Sequence, residues 1–194
     1  MYKVLAIEPH GDDILCSCSS LLNSKNVCID ILTLGKSRSS DKLKDKVPTI
    51  SSVSYLEMPE IGYSDRPRFN THDIHKRFVS GEDVYNYCAN EIRCMSVYKS
   101  LHEELLSFMK TFNFYEYDFV FSPLGLVHPY HLLVSDVSKE LCADIVLYAD
   151  KPYVGTRYAT ECLESYLKFN NLVSLSITFD NKPEFVKSTL ETVS

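Results

Sequence analysis

The sequence predicts an α/β fold in which a mostly parallel sheet is covered by helices on both faces. Short apolar runs of strand length alternate along the chain with longer segments of helical apolar spacing. Two of these runs, 4–7 and 119–121, end in a polar loop that leads into a helical segment. Strand, helix, strand connections of this kind imply right-handed crossovers. We therefore expect one Rossmann-like domain over residues 1–194.

The individual elements follow from local patterns. Strands are predicted at residues 4–7, 27–34, 53–58, 117–121 and 145–148, with an alternating edge strand at 172–179. Helices are predicted at residues 14–22, 131–142 and 183–190, with a short helical turn at 73–78. Residues 82–112 carry apolar side chains at helical spacing and fit one long helix or two consecutive ones. Residues 36–50 are rich in Ser, Lys and Asp and predict an exposed loop.

Composition narrows the class of protein. With 194 residues, 45% hydrophobic and 24% charged, the chain has the composition of a globular protein with a sizeable core. A net charge of −6 gives no electrostatic reason to expect a nucleic acid or an anionic membrane as partner. No signal-peptide pattern and no apolar run of about 18 residues is present, so a cytoplasmic location is expected.

The cysteine pattern is consistent with the expected cytoplasmic location. The seven cysteines form no CxxC pair and no repeated metal-ligand spacing, which predicts reduced and mostly buried thiols. Cys16 and Cys18 follow the first polar loop closely, so a sulfur ligand from one of them is a minor alternative.

Two polar loops carry the residues of chemical interest. Residues 9–13 have the sequence Pro-His-Gly-Asp-Asp, and residues 128–131 have the sequence His-Pro-Tyr-His. Ligands of open α/β sheets bind at the carboxyl ends of the strands, so we expect both loops at one cleft. Pro129 suits the first position of a helix, which places His128 at the cap and His131 in the first turn. A helix N-terminus disfavours imidazolium, and neutral imidazole is the form that binds a metal.

Together the loops supply the residue types of a catalytic zinc site. His10, Asp13 and His131 are the expected ligands, and Fe(II) or Co(II) would accept the same set. Zinc held by three protein ligands lowers the pKa of water to about 7. Asp12 could then accept a proton from the water, while His128 stabilises an oxyanion or protonates a leaving amine. The pattern indicates hydrolysis of an amide or ester.

These motifs resemble those of the zinc-dependent N-acetylglucosaminyl deacetylases, the PIG-L or LmbE-like family. In that family the first strand ends in proline or alanine, and the residues that follow are His, then usually Pro, then Asp-Asp. A later helix begins with His-Pro-Asp-His. Residues 10–13 and 128–131 stand in those places, and the resemblance covers residues 2–153. It implies removal of the acetyl group from an N-acetylated amino sugar or its conjugate. It also implies the roles that the spacing suggests: Asp12 as general base, His128 as the electrostatic or acid group, and zinc bound by His10, Asp13 and His131.

A weaker part of the resemblance concerns the substrate. Residues 60–65 resemble the family's Gly-x-x-Asp segment, whose aspartate meets sugar hydroxyls, so the resemblance implies that Asp65 binds substrate. Arg66 is a further candidate, although a solvated surface charge is the favoured interpretation. Tyr130 replaces the family's aspartate between the two late histidines and is expected to influence substrate choice. Residues 148–153 resemble another segment, found after a late strand.

Two other functions remain open on the sequence. Gly11 replaces the family's usual proline, Ile14 replaces an acidic residue, and an expected arginine and glutamate are not recognisable in residues 35–46. These departures motivate a second hypothesis, an inactive metal-binding relative that acts as a ligand-binding or partner subunit. A Rossmann-type nucleotide binder is the third, but the first loop has one glycine where the dinucleotide fingerprint needs three. The particular sugar and the oligomeric state are not specified.

Overall fold

The structure is a computed structural model that describes residues 1–36, 39–59, 61, 67–142, 145–150 and 157–170. Asp65 and Arg66 lie outside the described residues, as do the predicted strand 172–179 and the predicted helix 183–190. Five strands form one sheet in which every strand pairing is parallel. The predicted α/β class is therefore confirmed.

The sheet is built outward from its first strand in both directions. Its strands are β1 (Tyr2–Glu8), β2 (Val27–Thr33), β3 (Ile50–Tyr55), β4 (Phe119–Pro123) and β5 (Ile145–Tyr148). Their spatial order is β3-β2-β1-β4-β5. The chain first adds strands on one side of β1 and then crosses to the other, so the order reverses between β1 and β4. In a parallel sheet, the carboxyl ends of two strands at such a switch point flank the crevice where ligands bind.

Helices cover both faces of the sheet. They are α1 (Asp13–Ser17), α2 (Ser19–Leu22), α3 (Ser39–Lys44), α4 (Thr71–Val79), α5 (Val84–Arg93), α6 (Ser96–Met109), α7 (Pro129–Leu141) and α8 (Arg157–Phe169). A short 3-10 turn, Phe114–Glu116, precedes β4. None of the helices in the described part of the chain is long and apolar enough to span a membrane.

Strand β1 is buried on both faces, which explains its continuous apolar run. Leu5 and Ile7 pack into a core shared with α4 to α8, whereas Val4 and Ala6 pack into a second core with α1 and α2. All four side chains are at most 1% exposed. Burial on both faces is the normal environment of a central parallel strand.

Several boundaries differ from the sequence prediction. The predicted helix 14–22 is divided at Cys18 into α1 and α2, and the long segment 82–112 contains the two helices α5 and α6. Strand β3 begins at Ile50, three residues before the predicted start, because Ile50 already pairs with β2. Helix α4 begins at Thr71 rather than 73, since the Asn70 side chain caps it by accepting the backbone N–H of His72.

Two helices were missed. The prediction of an exposed loop over 36–50 was wrong in part, because α3 lies within it; Ser40 is the buried residue of that helix. Helix α8 buries Ala159 and Cys162, and the neighbouring Tyr158, Leu163 and Tyr166 are partly buried against the same core. These residues recur at helical spacing, so the sequence did carry the signal for α8.

Candidate metal centre

The two polar loops meet at the switch point between β1 and β4. The first loop leaves β1 and enters α1, whose first residue is Asp13. The second follows β4 and enters α7, with Pro129 in the first turn and His128 at the N-cap. The predicted positions of Pro129, His128 and His131 at a helix start are thus confirmed. Neighbouring parallel strands bring these two loops together, although more than a hundred residues separate them.

Three donor atoms form a compact triangle at this point. Nδ1 of His10 lies 3.2 Å from Nε2 of His131 and 3.3 Å from Oδ2 of Asp13, and the remaining edge measures 3.5 Å. Tetrahedral zinc with ligands at about 2.0–2.1 Å requires ligand atoms about 3.3 Å apart. The spacing of the three predicted ligand atoms is therefore compatible with a divalent metal ion.

Two of the three residues of the triangle are buried, and in the described part of the chain no basic side chain compensates the carboxylate. Asp13 is 5% exposed and His131 is fully buried. Among the described residues, the ion-pair partners of Asp13 are His10 and His131, and no Lys or Arg lies within ion-pair distance of it. The backbone N–H of His10 donates to Oδ2 of Asp13 at 2.7 Å and fixes that carboxylate in the loop. A buried carboxylate among imidazoles is an environment that a divalent cation would stabilise.

His128 lies against the triangle but is held differently. Its ring centroid is 5.1 Å from that of His10 and 5.0 Å from that of His131. The His10, His128 and His131 donors lie within 4.8 Å of one another, so a three-histidine site is geometrically possible. Nδ1 of His128, however, accepts the backbone N–H of Tyr130 at 3.3 Å. A neutral ring then carries its proton on Nε2 and is a donor there.

Asp12 is the exposed member of the site. It occupies the N-cap position of α1, yet its side chain makes no capping hydrogen bond. Its exposure contrasts with the burial of the neighbouring Asp13. Asp12 is thus accessible to water one residue before the buried Asp13, and its role as a general base stays a prediction.

Tyr130 and the cysteines complete the set of predicted residues. The Tyr130 side chain is fully buried, with its ring centroid 5.8 Å from that of His10, so its predicted influence on substrate stays a prediction. All seven cysteines are free thiols, and Cys18 is buried while Cys16 is exposed. Burial raises the pKa of Cys18 to about 12, so its thiol stays protonated in the metal-free protein.

Glu8 supports the first loop and was not singled out in the sequence. It is fully buried at the end of β1 and accepts hydrogen bonds from the hydroxyls of Thr33 and Ser40 and from the backbone N–H of Ile14. Burial raises the pKa of Glu8 to about 7, although these hydrogen bonds oppose the shift. Ser40 also lies 2.9 Å from the carbonyl oxygen of Gly11. Glu8 and Ser40 together anchor the loop that carries His10 and the two aspartates.

Asp150 supports the second loop and was likewise missed as an individual site residue. It is fully buried after β5, and its Oδ2 accepts the backbone N–H groups of Gly125 at 2.9 Å and Leu126 at 2.8 Å. Its other oxygen lies 3.5 Å from Nδ1 of His131. The available signal was a carboxylate soon after a predicted strand, the same signal that identified the first loop.

Gly125 is required where the second loop passes α7. Its φ is +80°, and a Cβ built on it would lie 2.6 Å from Cα of Leu132. We expect Gly125→Ala to lower the free energy of unfolding by about 3 kcal/mol, because it adds overlap with helix backbone to the cost of a left-handed conformation. Urea denaturation of the purified variant measures this loss.

Gly81→Ala is the matched control. Gly81 has the same φ of +80°, but among the described residues the only heavy atom within 4 Å of its built Cβ is the flexible Lys168 Nζ, at 3.9 Å. It should lose only about 1–2 kcal/mol, the cost of the conformation alone. Equal losses in the two variants would show that the close approach to α7 has no energetic effect.

The comparisons with known proteins give a limited result. No protein-family profile matches the sequence, and no curated protein is significantly similar to it. A solved structure of a deacetylase from the teicoplanin biosynthesis pathway is 12% identical, with a TM-score of 0.46 over 87% of this chain and 88% of that one. The zinc-inhibited form of a teicoplanin deacetylase is 13% identical, with a TM-score of 0.45 over 93% and 78%. Similarity at this level gives no basis for transferring the properties of either protein.

Proposed function

We propose that this protein is a metal-dependent amide hydrolase that removes the acetyl group from an N-acetylated amino sugar or its conjugate. The observation that carries the proposal is the donor triangle of His10, Asp13 and His131, with edges of 3.2 to 3.5 Å. Such a triangle leaves one tetrahedral position open, as catalytic zinc sites do. Asp12 and His128 lie beside it, and a structural metal site would need neither of them.

Each residue has one role in the proposed reaction. Bound zinc, or another divalent ion accepted by the same donors, would supply Lewis acidity and lower the pKa of water to about 7. Asp12 carries the proton, since its exposed carboxylate accepts it from the attacking water and delivers it to the amine nitrogen as the C–N bond breaks. His128 donates its Nε2–H to the acetyl oxygen as negative charge develops there, since its Nδ1 is held by the backbone N–H of Tyr130. Asp13 is kept in place by the N–H of His10.

The substrate class comes from the motif resemblance. Asp65 and Arg66 lie outside the described residues, so their assignment rests on the sequence. We assign contacts with sugar hydroxyls to Asp65 first and to Arg66 second. Tyr130 is fully buried against His10, so it would influence the substrate by positioning that ring. We further propose one catalytic domain over residues 1–194, active in the cytoplasm.

The test combines metal analysis with an assay for released amine. The purified protein is analysed for zinc, iron and cobalt and is incubated with a panel of N-acetylamino sugars and their conjugates. We expect close to one metal ion per chain and release of amine from at least one compound. Treatment with a chelator should abolish turnover, and added zinc should restore it. Metal without release from any compound would favour the inactive binding subunit, and the absence of metal binding would refute the proposal.

A further inference from the structure

Asp150, which follows strand β5, binds the loop between β4 and α7, which leads to His128 and His131. Strand β5 ends at Tyr148, next to β4, so Asp150 arrives at the carboxyl edge of the sheet beside the triangle. Its carboxylate is fully buried. Among the described residues, no Lys or Arg lies within ion-pair distance of it, and His131 is its ion-pair partner.

The two oxygens of Asp150 have different partners. Oδ2 accepts two backbone N–H groups, from Gly125 and Leu126 in the loop between β4 and α7. Oδ1 lies 3.5 Å from Nδ1 of His131, which is within ion-pair distance but does not meet hydrogen-bond geometry. The two N–H donors thus fix both the position of the carboxylate and the direction in which its second oxygen points.

The position of Asp150 selects one tautomer of His131. A neutral imidazole has one N–H and one lone pair, and an ionised carboxylate can only accept a hydrogen bond. Facing Oδ1 of Asp150, Nδ1 of His131 is favoured as the protonated nitrogen. Nε2 of His131 then presents its lone pair to Nδ1 of His10 and Oδ2 of Asp13. The other tautomer would place a hydrogen inside the triangle, where no metal could then be bound through this nitrogen.

We infer that Asp150 is a positioning residue that holds His131 in the tautomer whose Nε2 can bind a metal ion. Partners of this kind on the far side of a ligand histidine raise metal affinity by orienting the ring and fixing its proton. Because Asp150 also binds the loop backbone, the conformation of residues 124–127 and the tautomer of His131 are set by the same side chain. The metal-binding part of this inference rests on the proposed function.

The first experiment reads the tautomer without any metal. In metal-free protein labelled with ¹⁵N in its histidines, long-range proton–nitrogen spectra distinguish a protonated Nδ1 from a protonated Nε2 for His131. We expect the Nδ1–H form in the wild type. Asp150→Asn should reverse it, because the amide oxygen can keep the two backbone N–H bonds while the NH₂ group faces Nδ1 as a donor. An Nε2–H form in the wild type would overturn the inference.

The second experiment measures zinc affinity by competition with a chelator. We expect Asp150→Asn to weaken zinc binding about 10- to 100-fold, the range found for partners of ligand histidines. The thermal midpoint of the metal-free variant should stay near that of the wild type. Asp136→Asn is the matched control, since it removes a carboxylate that binds Arg93 and Tyr98 on the other side of α7. That variant should change stability and leave zinc affinity unaltered.

The outcomes separate this inference from the proposed function. A wild type that binds zinc together with an Asp150→Asn variant of equal affinity would overturn the inference and leave the proposed function standing. A wild type that shows the Nδ1–H tautomer but binds no metal would refute the proposed function and support the positioning of His131 by Asp150.

Discussion

Replacing Asp12 by asparagine is expected to lower kcat about 10²- to 10⁴-fold, the usual contribution of a general base. Asp12 is exposed and makes no capping hydrogen bond, so the substitution removes a proton acceptor without removing a structural contact. It also lies outside the donor triangle of His10, Asp13 and His131. Metal content and the free energy of unfolding should therefore match those of the wild type. Steady-state kinetics on the best substrate, with metal analysis of the same preparation, provide the measurement.

The control for Asp12 is another exposed aspartate. Asp45 follows α3 and is exposed, so Asp45→Asn removes one negative charge from the surface without touching either histidine loop. This variant should keep full activity. An Asp12→Asn protein that binds metal and turns over at the wild-type rate would remove Asp12 from the mechanism. Loss of metal in that variant would instead make Asp12 a ligand and contradict the triangle assigned here.

The centre of the fold and the placement of the two loops could be predicted because they follow from local patterns and one topological rule. The centre of strand β1, residues 4–7, is buried on both faces, so this part of the sequence is a continuous apolar run and is easily recognised. The start of α7 is marked by Pro129 and by the capping role of His128, both of which are local features. Parallel strands then place the two loops at one edge of the sheet.

The support of the site could not be predicted in the same way, because it depends on contacts between distant parts of the chain. Glu8 lies at the end of an apolar strand, and its partner Ser40 belongs to a short helix in a segment of polar composition. Asp150 is 25 residues from Gly125, whose N–H it accepts. Neither pair has a sequence pattern of its own.

The distances between atoms of the site could not be predicted from the spacing of its residues in the sequence. The motif alone allows His128 to be either a ligand or a catalytic group. In the structure Nδ1 of His128 accepts the N–H of Tyr130, and the Asp13 carboxylate forms a tighter triangle with His10 and His131. Both observations support our proposal that His128 is a catalytic group, while the three histidine donors also lie within 4.8 Å of one another. The burial of Tyr130 could not be predicted either, because a single aromatic residue at the start of a helix is not part of a periodic apolar pattern.

Replacing His131 by alanine is expected to weaken zinc binding by more than about 100-fold, beyond the range for outer partners of a ligand, and to abolish turnover. His131 is the fully buried vertex of the triangle, and its Nε2 makes two of the three edges, to His10 and Asp13. Its removal leaves two donors, too few to hold a catalytic metal with an open position. It also leaves Asp150 facing a cavity, so we expect some loss of stability in addition.

Stability and metal binding must therefore be measured on the same samples. His72→Ala is the matched control, because His72 lies in α4 with an 80% exposed side chain and takes no part in the donor cluster. It should retain zinc, activity and thermal stability. His131→Gln, which restores part of the buried volume, separates folding from ligation, since a folded Gln variant should still lack zinc. A folded His131 variant that binds zinc with wild-type affinity would place the metal elsewhere and contradict the donor triangle.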